Sequence, residues 1–192
     1  IIRNKKEPLY YSNLVNLYIC QNRLQEAQDL CFTVVKSGIA NHLTYLLLGK
    51  LCITQGKTND AISAFQQSIQ LDNKNITAHT YLINLLLQAN QLEEAKNVLA
   101  GIISFYPDEL KLKCLTEKIH YKSGNKESAI NFIQNILTSN PSDRSVCLDL
   151  GDLCIEMEEY AKAIEVLERY ITTTHNVEAV VIASIATCYA KL

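Results

Sequence analysis

Apolar residues recur along the chain at the three- and four-residue spacing of amphipathic helices. Around position 47 the leucines Leu43, Leu46, Leu47, Leu48 and Leu51 are so dense that more than one side of the predicted helix is expected to be covered. Only six glycines and three prolines are present. With so few residues that break helices, the pattern predicts an all-α protein of consecutive helices.

The apolar pattern repeats at a fixed interval of 34 residues. Alanine recurs at this interval without a break, and each alanine is followed four positions later by an apolar residue. A recurring alanine fits a place where two helices approach too closely for a larger side chain. The alanines are Ala27, Ala61, Ala95, Ala129 and Ala163, and the apolar residues that follow are Cys31, Phe65, Leu99, Ile133 and Leu167.

The first half of the unit repeats as well. The segment Tyr45-x-x-Leu48-Gly49-x-x-Cys52 has a counterpart three units later in Cys147-x-x-Leu150-Gly151-x-x-Cys154, and Pro107 and Pro141 lie at the end of two units. Together these residues resemble the tetratricopeptide repeat, W-x-x-L-G-x-x-Y, then A-x-x-x-F, then P, in a helix–turn–helix unit. The chain departs from that pattern in never placing Trp at the opening position. The resemblance implies an all-α fold, an α-solenoid of antiparallel helix–turn–helix repeats forming a right-handed superhelix.

The resemblance covers nearly the whole chain and predicts a single array over residues 1–192. Because the chain begins with Ile1 and not Met, we expect it to be a piece of a longer protein. The predicted repeats are 8–41, 42–75, 76–109, 110–143 and 144–177, with 178–192 as the first helix of a sixth unit and 1–7 as the tail of a preceding one.

Turn and cap residues recur in the same register. Between the two helices of each unit, Gly and Asn favour the left-handed conformation that ends a helix, with Glu158 as the exception. The spacings from Asn22 to Gln25 and from Asn90 to Glu93 predict capping boxes for second helices. The turn residues are Asn22, Gly56, Asn90, Gly124 and Glu158, and the predicted N-caps of the next first helices are Asn41, Asn75 and Asp143.

The fourth unit breaks the pattern, because its expected core positions hold Lys113, Thr116, Glu117 and His120. Burying a lysine and a glutamate is costly. We therefore predict a slip of one residue, with the extra residue in the turn before Gly124. The slip would place Leu112, Leu115, Thr116 and Ile119 in the core.

Composition narrows the function. Eighteen Lys and Arg against twenty Asp and Glu give a net charge of −2, so no positive field favours nucleic acid or an anionic membrane. No apolar run reaches the length of a membrane span.

Seven unpatterned cysteines indicate reduced thiols, and we expect a cytoplasmic location. The four histidines lack metal-ligand spacing, and Cys147 and Cys154 are interpreted as buried thiols. With no catalytic motif present, we expect neither an enzyme nor a cofactor.

The resemblance also implies where a partner binds. First helices of this family line a concave groove that holds extended peptides or helices. The ninth position holds Asn in two units, whose amides can hold a peptide backbone, and Lys in two others, which can meet a carboxylate. Core packing is the favoured interpretation of the twelfth position. Two ion pairs, Lys118 with Asp152 and Lys122 with Glu156, are expected between the fourth and fifth units. The candidate partner-binding residues are Asn16, Lys50, Asn84, Lys118, Asp152, Leu46, Thr80, Leu148 and Tyr121.

Three functional hypotheses follow. The first is a protein-interaction module that binds a partner peptide or helix in its groove. The second is a substrate-selecting or regulatory arm of a larger enzyme, such as a protein glycosyltransferase, and the third is a structural link in a multiprotein assembly. The lysine and asparagine clamp of chaperone-binding members is not matched by any trio of units, which argues against binding a chaperone tail. The apolar ends, such as Val181 and Ile185, predict end-to-end self-association.

The alanine position gives a direct test of the register. Ala163→Leu adds three carbons at a helix crossing, so we expect it to lower the free energy of unfolding by about 1 to 3 kcal/mol through overpacking. A thermal or chemical melt measures this change. Unchanged stability would show that the assigned register is wrong.

Overall fold

The computed structural model describes residues 8–139, 144–174 and 178–192, and in these ranges the regular structure is entirely helical. Helices follow one another through short turns, and neighbours in the chain pack in antiparallel pairs. The eleven helices of the described ranges are α1 (Pro8–Cys20), α2 (Leu24–Lys36), α3 (His42–Thr54), α4 (Thr58–Leu71), α5 (Ile76–Gln88), α6 (Leu92–Ile103), α7 (Leu110–Lys122), α8 (Lys126–Ser139), α9 (Arg144–Glu156), α10 (Tyr160–Thr174) and α11 (Ala179–Lys191).

The helices group into two compact units, one ending at Phe105 and the other beginning at Tyr106. The first contains α1 to α6 and the second α7 to α11. Within each unit, the two helices of a pair pack on each other and on the next pair. First helices α1, α3, α5, α7 and α9 begin 34 residues apart, as the repeat predicts. A single array over residues 1–192 remains a prediction.

Small residues bring the two helices of a pair together. The five repeated alanines are fully buried, at 0% exposure, and the apolar residues four positions after them are buried too. Gly49 of α3 lies against the ring of Phe65 in α4, and Gly151 of α9 lies against Leu167 in α10. The predicted glycine positions are therefore contacts between paired helices, and the predicted alanine positions lie in the buried interior.

The turn between paired helices has one geometry throughout. Its central residue is left-handed in all five pairs, including Glu158, whose φ is 61°. The next residue donates its backbone N–H to a carbonyl five residues earlier, as Lys57 does to Cys52 at 2.9 Å. This bond satisfies a carbonyl that the helix end leaves open. The left-handed residues are Asn22, Gly56, Asn90, Gly124 and Glu158.

Capping follows the sequence prediction at the first helices only. Asn41 accepts the N–H of Thr44 at 2.9 Å and Asn75 accepts that of Ala78 at 3.0 Å. Asp143 lies outside the described residues. The capping boxes predicted at Asn22 and Asn90 are wrong, because both residues occupy the left-handed turn. The N-caps of α2 and α6 are the residues that follow, and neither makes a side-chain cap hydrogen bond.

The extra residue predicted in the fourth unit is wrong. Helix α7 has the same bounds within its unit as α1, α3, α5 and α9, and its turn residue Gly124 stays in register. Leu112, Leu115 and Ile119 are nevertheless buried, as expected. Helix α7 can keep the 34-residue register with Glu117 in a core position, because the Glu117 carboxylate has polar partners there.

Those partners give the α7–α8 pair a polar contact. Glu117 Oε2 accepts a hydrogen bond from Ser128 Oγ of α8 at 2.6 Å, and it lies 3.3 Å from Nδ1 of His120. The Glu117 side chain is only 14% exposed. A hydrogen-bonded carboxylate at this depth costs far less than an unpaired one, so no slip is required.

A glycine pair tests the close approach. An alanine Cβ at Gly49 would lie 2.6 Å from Phe65 Cε1, and Phe65 is fully buried and stacked on Tyr81. We expect Gly49→Ala to lower the free energy of unfolding by about 1 to 3 kcal/mol, measured by urea denaturation.

Gly101 of α6 is the matched control, because a Cβ there meets nothing within 4 Å. Gly101→Ala should raise stability by about 0.5 to 1 kcal/mol, since alanine favours a helix over glycine. Equal effects of the two substitutions would contradict the close contact at Gly49.

Candidate functional site

The ninth-position row within α1–α6 carries polar groups in contact with solvent. Asn16 of α1 is exposed, and Lys50 of α3 and Asn84 of α5 are half-buried. The Lys50 ammonium lies 5.2 Å from the centroid of the Tyr81 ring, so the aromatic face helps to fix its position. Within the described ranges, no hydrogen bond occupies the side-chain amides of Asn16 and Asn84. Both amides can therefore bind a partner.

A recess of about 180 Å³ adjoins Asn16 between α1 and α3. Its floor is apolar and includes the predicted residue Leu46, which is 7% exposed. Ser12 and Asn13 lie at its rim beside Asn16. Sequence reasoning missed Asn13, because it followed only some positions of the first helix. The leucines of the recess are Leu43, Leu46 and Leu47.

Three other predicted residues take part in packing. Thr80 is 6% exposed, and its hydroxyl donates to the carbonyl of Ile76 at 2.9 Å; it is not available to a partner. The Tyr121 hydroxyl donates to the backbone carbonyl of Glu156 at 2.8 Å. Leu148 is half-buried against the core of α7–α11, as is the Tyr121 ring. The twelfth position thus has its packing role at Tyr121.

Ion pairs join α7 and α9 within the second unit. Lys122 Nζ lies 3.2 Å from Glu156 Oε2, as expected. The expected pair of Lys118 with Asp152 is wrong, because Lys118 Nζ reaches Glu156 Oε1 at 2.8 Å. Glu156 lies one helical turn beyond Asp152, within reach of both flexible lysines. A third lysine, Lys111, lies 3.8 Å from Asp149.

These contacts set the protonation of two carboxylates in opposite directions. Burial favours a higher pKa at Glu156, but hydrogen bonds and charges from Lys118 and Lys122 outweigh it, and the net pKa is lowered. The pKa of Asp152 is raised, mainly by partial desolvation; Lys118 opposes this shift and the charge of Glu156 adds to it. Lys118 and Lys122 therefore stabilise the charged form of Glu156 more than that of Asp152.

Asp152 keeps a carboxylate that faces solvent. The residue is exposed, and in the described ranges no side chain forms a hydrogen bond or close ion pair with it. Its neighbours Lys111, Lys118 and Lys122 are already paired with other acids. Of Lys118 and Asp152, the charged candidates predicted on α7 and α9, Asp152 is the one without a hydrogen bond or close ion pair in the described ranges, although the charge of Lys118 acts on it.

Two larger clefts of the first unit lie between its second helices, α2, α4 and α6. The α2–α4 cleft, between those helices and over α3, measures about 610 Å³ and includes Phe32, Lys57 and Asp60. The α4–α6 cleft, over α5, measures about 590 Å³. Tyr45 and His79, one repeat apart, line equivalent places in the two clefts. The sequence analysis did not predict these clefts, because it looked for ligands only on the first helices.

The buried histidine and cysteines lie in apolar surroundings. His79 is 4% exposed, and its Nδ1 lies 2.9 Å from the carbonyl oxygen of Asn75. All seven cysteines are free thiols. Burial raises the pKa of Cys31 and Cys154 to about 12, so both are protonated at neutral pH and poor nucleophiles. Over the described residues, no cluster of His, Cys, Asp and Glu could hold a metal ion.

No helix within the described ranges has the length and apolar character needed to cross a membrane.

Comparisons with known proteins agree with the helical repeat. Family profiles described as tetratricopeptide repeat match residues 53–117 and 145–173. The solved structure of TTC0263, a tetratricopeptide repeat protein of Thermus thermophilus, superposes with a TM-score of 0.73 at 13% identity, covering 95% of this chain and 99% of that one. This similarity concerns the fold.

Two sequence relatives are larger proteins. The transcription factor tau 131 kDa subunit of Saccharomyces cerevisiae is 23% identical over 145 residues, which are 76% of this chain and 14% of the relative. A DnaJ homolog subfamily C member 7 homolog of Schizosaccharomyces pombe is 25% identical over 176 residues, or 86% of this chain and 36% of the relative. The chain thus spans about a seventh and about a third of these two proteins.

The Glu156 carboxylate gives a pH-dependent prediction. Because its folded pKa lies below the ordinary 4.5, its stabilising effect is complete above pH 4.5 and is lost as the pH falls through the folded pKa. Glu156→Gln should lower the free energy of unfolding by about 1 kcal/mol at pH 7, since it removes a charge-assisted contact.

Urea denaturation of both proteins between pH 7 and pH 3 measures this difference. The difference in the free energy of unfolding between wild type and Glu156→Gln should become smaller as the pH falls below 4.5. A gap that stayed constant over the whole range would contradict the assigned pairing.

Proposed function

Because the chain is a tetratricopeptide repeat protein, we propose that it binds a partner peptide or helix in the groove lined by its first helices. Tetratricopeptide repeats are protein-interaction scaffolds in general and are typically non-catalytic. The recess beside Asn16 is the observation that carries the proposal.

The recess combines the two features that hold a peptide. The amides of Asn16 and Asn13 offer donors and acceptors to a main chain, and the leucine floor, which includes Leu46, can receive an apolar side chain. Lys50 and Asn84 continue the polar row on α3 and α5. An extended segment lying along this row can bind the amides with its backbone and the recess with a side chain.

The second unit contributes charge to the proposal. In the described ranges Asp152 has no hydrogen bond or close ion pair, whereas Lys118 is paired with Glu156. A partner that meets α9 at Asp152 therefore has a basic group there. Lys118 acts by holding Glu156 in place and has a smaller role in contacting the partner.

Two alternatives remain as outcomes of the experiments. A structural link in an assembly would use surfaces away from the groove, and one relative is by name the subunit of a transcription factor. A substrate-selecting arm of an enzyme would use the groove but belong to a longer catalytic protein. The full-length sequence separates this last case from a free-standing interaction module.

Site-specific photo-crosslinking locates the binding surface even when the partner is unidentified. A photoreactive phenylalanine replaces Asn16 in one sample and the exposed Asn131 of α8 in the other. We expect the same partner to be captured from Asn16 and not from Asn131, with capture abolished by Asn84→Ala. Capture from Asn131 alone would instead support the structural-link alternative.

Charge reversal at Asp152 tests the second part of the groove. Asp152→Lys should leave helical content intact and weaken binding of the captured partner, more strongly at low salt, where screening is least. A binding titration at two ionic strengths, with a thermal melt, measures this. Glu127→Lys on α8 makes the same change in charge away from the groove and serves as control.

Full affinity of Asp152→Lys at both ionic strengths would remove α9 from the site. The site would then consist of Asn16, Lys50 and Asn84.

A further inference from the structure

We propose that the α4–α6 cleft is a second binding site, which takes an uncharged, extended peptide segment with one aliphatic side chain. The second helices α4 and α6 form the walls of this site. Its floor is a face of α5 that differs from the face carrying the groove residue Asn84. The proposal does not depend on the groove, and each can fail without the other.

The cleft has the size and layering of a ligand site. Its volume of about 590 Å³ lies within the range of about 300 to 1,000 Å³ that is usual for such sites. Leu82 of α5 forms an apolar floor, with Ile69 of α4 and Val98 of α6 beside it. An aliphatic side chain that enters here leaves water for an apolar surface on several sides.

Side-chain amides surround this floor. Gln66 and Gln70 come from α4, Asn73 follows that helix, and Asn97 comes from α6. Each amide offers both a donor and an acceptor, as does each peptide group of an extended main chain. Amides on both walls can therefore hydrogen-bond a peptide backbone that passes between them.

The lining contains no acidic residue, lysine or arginine. The equivalent α2–α4 cleft differs, because Lys57 and Asp60 belong to its lining. Charges of both signs, Lys74 over the Phe105 ring and Asp72 near His79, lie just outside this lining. A charged ligand group in the α4–α6 cleft therefore finds no direct ion-pair partner in the lining itself, which favours an uncharged segment.

His79, a buried residue that lines the cleft, supplies an acceptor at the floor. Because a carbonyl oxygen can only accept, the contact of Nδ1 with the Asn75 carbonyl places the proton on Nδ1. Burial lowers the pKa of His79, so the ring is neutral at pH 7. Nε2 is then an acceptor, and over the described residues nothing donates to it. A peptide N–H matches this group.

Gly101 leaves room for the ligand side chain. It lies in the last turn of α6, two residues before the helix ends at Ile103, and a Cβ at this place meets no atom within 4 Å. Packing within the chain therefore gives no reason for a glycine. The corresponding position in the lining of the α2–α4 cleft is Gln67, which carries a long side chain.

Capped amino acids and peptides provide defined probes. The first is N-acetyl-leucine methylamide, and the second is the capped tripeptide Ala-Leu-Ala. Titration into the ¹⁵N-labelled chain is followed by two-dimensional NMR. We expect shifts at the Gly101 N–H and at the side-chain amides of Gln66, Gln70 and Asn97, with a dissociation constant on the order of millimolar for the smaller probe.

The tripeptide tests for an extended main chain. Its flanking peptide groups can reach the amide walls, so it should bind at least about fivefold more tightly than the capped leucine. Equal affinities would overturn the extended-peptide assignment. The capped forms of lysine and glutamate should give at least tenfold weaker binding, and equal binding by either would overturn the selection for an uncharged segment.

Gly101→Leu fills the cleft and should abolish the shifts at Gln66 and Asn97. Ala100→Leu is the matched control, since Ala100 is an exposed residue of the same helix and lies outside the cleft lining. It should bind both probes as the wild type does. Undiminished binding by Gly101→Leu, or shifts confined to the region of Asn16, would overturn the proposal, and a melt of each variant confirms that both are folded.

Discussion

The close approach of two helices in each pair is the constraint on which the rest of the structure depends. Alanine at the crossing and glycine opposite Phe65 or Leu167 let the backbones come near enough for large neighbours to fill the remaining space. Any larger side chain at these positions pushes the helices apart. Because the alanine recurs at the same position of every second helix up to α10, the pairs are built on one pattern.

Two kinds of surface follow from that constraint. Within each unit, first helices are covered on several sides and keep some polar residues exposed, such as Asn16 in the first unit and Asp152 in the second. In the first unit, clefts separate neighbouring second helices, and the first helices α3 and α5 form the floors of these clefts. Exposed polar residues on first helices suit the extended partner proposed for the groove, and a cleft suits the segment proposed to insert between two second helices.

Positions that depend on local geometry could be predicted from the sequence. The buried alanines, the left-handed turn at Gly56 and the N-cap at Asn41 each require a particular residue within one unit, and the 34-residue period marks them. The capping boxes failed because Asn22 can either cap a helix or adopt the left-handed turn, and the turn position decides between the two.

Contacts between units were harder to predict. A long lysine side chain can choose between acids one turn apart, so Lys118 selects Glu156 through packing that the sequence does not encode locally. The α7 register likewise depends on a partner, Ser128, in another helix. The clefts arise from side chains such as Gln66 and Asn97, which lie far apart in the sequence and look like ordinary surface residues.

The polar contact between α7 and α8 has a consequence for how the chain unfolds. Hydrogen bonds such as that from Ser128 to Glu117 can be exchanged for bonds to water, whereas the apolar contact of Gly49 with Phe65 cannot. Within a repeat protein, pairs open with free energies that reflect their own contacts. We therefore expect the α7–α8 pair to open more readily than the α3–α4 pair, so that amide protons of α7 and α8 exchange with solvent first.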